Sequence, residues 1–82
     1  MIKVRLKHYS TDRRAVYSVL LDNGIQVHKT NDWGDVTICT FEDQAELKCV
    51  LQQLNKTVYG GVQILSQREI ITLKDILTWW RD

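Results

Sequence analysis

Two histidines, two cysteines and several carboxylates are the side chains here that could hold a metal or attack a substrate, and their spacing argues against both uses. His8, His28, Cys39 and Cys49 are scattered along the chain, whereas zinc sites declare themselves by close pairs such as C-x₂-C or H-x₃-H. A nucleophilic Cys-His pair needs a stabilised thiolate as well as proximity. Cys39 and His28 are expected to share a sheet face, yet cysteine in a predicted strand is most often a small buried apolar residue. Asp32 and Asp35 flank a predicted hairpin tip, and Glu42, Asp43 and Glu46 lead a predicted helix. Carboxylates in a first helical turn are favoured by the macrodipole alone, so these need not converge for acid-base work. The Gly60-Gly61 pair lacks the longer loop and the Lys or Ser/Thr of a phosphate cradle. The expectation is a chain with no catalytic set, no metal and no cofactor.

Two other groups suit binding. Lys3, Arg5 and Lys7 alternate with Ile2, Val4 and Leu6, and Arg13 and Arg14 follow. If the apolar residues face the core, the cations project from the other side of the sheet, together with Gln26, His28, Thr37 and Cys39. RNA-recognition domains use such a face, but they stack bases on mid-strand aromatics, and here Tyr9 and Phe41 fall only at strand ends. The second group is aromatic. Trp33 stands between Asp32 and Gly34 in the predicted turn, where its hairpin offers few neighbours. Trp79 and Trp80 are adjacent on a helix and so about 100° apart, too divergent for both to enter one core. Tryptophan brings a large rigid surface and is enriched at interface hot spots.

The elements that position these residues follow from the hydrophobic period. Residues 2–9 alternate as a strand. Ser10, Thr11 and Asp12 offer caps for a helix reaching Asn23, with Gly24 as its left-handed terminator. Residues 25–30 and 36–41 form the next two strands, and an even-numbered loop would set Val27 opposite Ile38. A second helix starts within residues 40–43 and presents Leu47, Val50, Leu51 and Leu54. A fourth strand covers 58–65 with Gly60-Gly61 as a bulge, a bend or a close backbone approach, and residues 68–71 suggest a short fifth. Thr72 and Asp75 cap a last helix, with Ile71 stapled on Ile76. The order predicts one α+β domain over residues 1–82: a ferredoxin-like β-α-β-β-α-β sandwich, an antiparallel sheet of four to five strands, with an additional C-terminal helix.

The chain has 82 residues, a formal charge of +1 and 44% hydrophobic residues, enough for one core but with little interior for a deep cleft. Positive charge gathers in the first fourteen residues and negative charge between Asp22 and Glu46, which predicts a bipolar surface. Two cysteines and no signal-like start predict reduced thiols and a cytoplasmic location, and no apolar run reaches bilayer length. The sequence therefore predicts a non-enzymatic module, a small regulator or inhibitor, docking on a protein partner through Trp33, Trp79, Asp32 and Asp35. The alternative is nucleic-acid binding through Lys3, Arg5, Lys7, Arg13 and Arg14. An uncovered edge strand would also permit a homodimer.

Overall fold

The computed structural model describes residues 1–70; the predicted C-terminal helix, with Trp79 and Trp80, lies outside them. The elements run β1 (Ile2–Lys7), α1 (Arg13–Asp22, preceded by a 3₁₀ turn at Ser10–Asp12), β2 (Gln26–Thr30), β3 (Val36–Phe41), α2 (Gln44–Thr57) and β4 (Gln63–Glu69). The four strands form one antiparallel sheet in the order β2-β3-β1-β4.

The alternation of β1 sets the core. Ile2, Val4 and Leu6 pair with Phe41, Cys39 and Thr37, so these six share one face, and all are buried. Val16, Val19 and Leu20 of α1 and Leu47, Val50 and Leu54 of α2 join them in the apolar cluster. Each large apolar side chain so enclosed contributes about 1.5–3 kcal/mol relative to exposure.

Helix boundaries follow from local chemistry. α1 ends in a Schellman arrangement: Gly24, at φ 71°, donates to the Leu21 carbonyl, and Ile25 donates to Leu20. Ile25 and Leu20 are both buried, which seals that end apolarly. α2 opens with a variant of the capping box: the N-cap Asp43 accepts from the Glu46 N–H at 2.9 Å, and Glu46 reaches back one residue further, to accept from the Glu42 N–H at 2.9 Å. Asp12 does not cap α1 with its side chain. Its carboxylate accepts the Gly60 N–H at 3.1 Å instead, tying the start of α1 to the loop before β4.

Four expectations are corrected. Val27 lies opposite Cys39, not Ile38: the hairpin pairs Thr30 with Thr37 and Lys29 with Ile38, and a bulge at His28 then brings Val27 to Cys39. The register of β3 on β1 turns Thr37 and Cys39 to the helices, beside Leu6 and Val4, and Val36, Ile38 and Thr40 take the far face beside Lys3, Arg5 and Lys7. Gly60-Gly61 precedes β4 rather than interrupting it: Gly61, at φ 74°, donates to the Val58 carbonyl and Val62 donates to Asn55 Oδ1, a turn closed before the strand begins. Arg68 and Glu69 belong to β4, so no fifth strand starts there, and the described residues hold four strands.

Candidate functional site

The sheet register gathers three connections at one end of the molecule. Lys7 pairs with both Val36 and Gln63, so the end of β1 and the starts of β3 and β4 lie side by side. The β1–α1 connection (8–12), the β2–β3 tip (31–35) and the α2–β4 turn (58–62) all emerge there.

The hairpin tip is fixed from within. Asn31 Oδ1 accepts the Asp35 and Val36 N–H groups at 3.0 Å each, and Asn31 Nδ2 donates to Asp35 Oδ1 at 2.7 Å. Gly34 donates to the Asn31 carbonyl, closing a β-turn, and its φ of 75° is one that a side chain would strain. Lys7 Nζ sits 2.5 Å from Asp35 Oδ2, and the His8 N–H donates to the Asp35 carbonyl at 2.9 Å. Hydrogen bonds from Lys7 and then Asn31 hold the Asp35 carboxyl below its ordinary range. Asp35 is thus an internal anchor. The side chains at the two middle positions of the turn, Asp32 and Trp33, point away from the network, and Trp33 is 84% exposed.

Two further aromatic rings flank it. Tyr9 is 65% exposed and Tyr59 fully so. A Cβ at Gly60 would fall 2.0 Å from Tyr9 Cδ2, so the Tyr9 ring lies directly on the Gly60 backbone, next to Tyr59. A Cβ at Gly34 would lie 3.7 Å from Ser10 Cβ and 3.9 Å from Arg13 Nη1. The surface therefore continues from Tyr59 over Tyr9 and Ser10 to Trp33 and Arg13. Sequence reasoning found Trp33 but missed the two tyrosines; an aromatic beside Gly-Gly and another beside a predicted cap were the available signals.

Behind this end a polar chain enters the core. His8 is buried; its Nδ1–H donates to the Tyr9 carbonyl at 2.9 Å, leaving Nε2 to accept from the Thr37 hydroxyl at 2.7 Å. Thr37 contacts Thr30 at 3.5 Å, and Thr30 bonds the Tyr17 hydroxyl. His8 is thus engaged structurally, against the rigid base of the hairpin.

The other predicted residues divide. Arg13 and Arg14 are exposed on the first turn of α1 and line, with Tyr17 and Ser18, a shallow groove of about 400 Å³. Arg5 is half-buried at mid-sheet. Lys3, expected at the solvent, is 1% exposed: it occupies the central strand between Thr40 and Arg68. Burial and the charge of Lys3 push the His28 imidazole below its usual value, and His28 bonds Thr40 on that same far face. Cys39 is buried among apolar residues, which pushes its thiol up to about 12, the reverse of nucleophile activation. Cys49 is exposed on α2, far from Cys39 in role and surroundings. Among the described residues, no three His, Cys, Asp or Glu side chains are grouped to hold a metal, and no helix is long and apolar enough to cross a membrane.

Comparison of the chain with protein-family models, with curated proteins and with solved structures finds no match.

Proposed function

We propose that this chain is a ferredoxin-like, non-enzymatic protein-binding module, a small regulator or inhibitor, that grips its partner with the loop end of the sandwich. The observation that carries the reading is Trp33: a large ring, 84% exposed, on a turn whose backbone is held by its own hydrogen bonds. Exposing an indole to water has no stabilising value for the fold, whereas a rigid anchor loses little entropy on docking. Tyr9, Tyr59 and Arg13 extend the surface with the residue types that dominate hot spots. Asp32 is the predicted acidic contact left available, since Asp35 is engaged with Lys7 and Asn31.

The nucleic-acid alternative draws on the same end, with Arg13 and Arg14 for phosphates and the aromatic rings for stacking. Two of its five cations are withdrawn from it, Lys3 by burial and Lys7 by its pairing with Asp35.

The test is Trp33→Ala in the full chain. Capture of the partner from the native cell should weaken about tenfold or more, as for a hot-spot tryptophan, while the unfolding midpoint stays unchanged. Undiminished capture rejects the reading.

A further inference from the structure

We infer that the loop end receives an acidic segment of the partner protein, seated between Trp33 and the groove of Arg13 and Arg14; this rests on the docking role proposed above and names the partner's chemistry. Arg13 and Arg14 are exposed, and neither forms an ion pair among the described residues. They occupy the first turn of α1, where the helix macrodipole favours acidic side chains over cations, so helix stability does not account for them. Their groove runs beside the hairpin tip, because Arg13 Nη1 reaches to within 3.9 Å of where a Gly34 Cβ would stand. The Tyr17 hydroxyl is taken up by Thr30, which leaves the ring as a wall.

The local carboxylates do not neutralise this pair. Asp35 is paired with Lys7, Asp12 is turned to the Gly60 N–H, and no carboxylate among the described residues lies within ion-pair distance of Arg13 or Arg14. Among the described residues the acidic side chains other than these two and Asp32 stand at the opposite end of the molecule: Asp22 where α1 ends, Glu42, Asp43 and Glu46 where α2 begins, and Glu69 opposite Ile2. A carboxylate entering the groove can be gripped by a planar guanidinium fork, with an adjacent apolar side chain laid on the Trp33 ring. A polyphosphate strand fits less well, since only two cations face it where a strand needs a row of them.

The experiment uses fluorescence anisotropy on the full chain with a labelled short peptide of glutamates punctuated by two leucines. The same peptide with lysines in place of glutamates and a short oligothymidylate serve as competitors. The glutamate peptide should bind and weaken as salt rises, the lysine peptide should not compete, and Arg13→Glu with Arg14→Glu should cut affinity about tenfold or more with the unfolding midpoint intact. Absence of glutamate-peptide binding at low salt, equal competition by the lysine peptide, or indifference to the charge reversal overturns the inference. Tighter binding of oligothymidylate also overturns it and assigns the surface to single-stranded nucleic acid. If Trp33→Ala abolishes partner capture while the arginine reversal does not, the acidic partner falls and the docking role stands.

Discussion

Asn31→Ala offers the most direct measure of how firmly the Trp33 turn is held. The side chain makes three hydrogen bonds: two accepted from backbone N–H groups at 3.0 Å and one donated to Asp35 at 2.7 Å. At about 0.5–1.5 kcal/mol net for each, with the turn half-exposed so that water replaces part of the loss, the expected cost is about 2 kcal/mol. Urea unfolding slopes for a chain this small are about 1 kcal/mol per molar, so the midpoint should fall by about 2 M with the slope unchanged. Asn31→Asp sharpens the reasoning, because it keeps the oxygen that accepts both N–H groups and replaces only the donor, setting a second carboxylate against Asp35. It should fall between wild type and alanine at acid pH and lose ground as the carboxylates ionise. Both variants should also weaken partner capture although Trp33 is untouched, since a loosened turn must be ordered on binding. A midpoint shift below about 0.5 M for the alanine variant would refute the claim that this side chain holds the turn. Full partner affinity in a clearly destabilised variant would refute the link between rigidity and docking.

The remaining expectations are independent of the partner. Gly60→Ala drives a methyl into the Tyr9 ring and should destabilise by about 1–3 kcal/mol, and Tyr9→Ala in the same chain should recover part of that loss, read as non-additivity in a double-mutant cycle. The Asp35 carboxyl is held low by Lys7 and Asn31, so the unfolded chain takes up this proton first. Its stabilisation is complete above the ordinary value of 3.8 and drains away as pH falls through the folded value. Carboxyl NMR should show the Asp35 midpoint rising in Lys7→Ala. His28 follows the same sign, its contribution complete above the ordinary 6.5 and declining as pH falls below it, which imidazole NMR checks. Of the two thiols, exposed Cys49 should react with a disulfide reagent in the native protein and Cys39 only on unfolding; rapid native modification of Cys39 would contradict its burial.

The α+β class and the four-strand, two-helix order were legible because one face of each element is apolar at the right period. Ile2, Val4 and Leu6 announce β1, and Leu47, Val50 and Leu54 announce α2. Register was not legible, since the bulge at His28 changes which residues oppose one another without disturbing the composition of β2. The face of β3 is likewise set by a pairing across the sheet, since its register with β1 turns Cys39 and Thr37 to the core and Ile38 to the other side. Local signals also competed with tertiary ones: Asp12 has the composition of a helix cap but bonds Gly60, and Lys3 alternates like a surface lysine yet lies in the central strand. The site was half visible. Trp33 stood out by residue type, while its convergence with Tyr9, Tyr59 and Arg13 exists only once the topology has folded three distant connections together.

The self-contained turn around Trp33 separates two demands that usually conflict. Asn31, Gly34 and Asp35 carry the geometry, and the pair at positions 32 and 33 carries none of it. Those two positions can therefore be rewritten with little penalty to folding, so mutation could change what this tip presents to the solvent, or an engineer could graft a new dipeptide onto it, without touching the core.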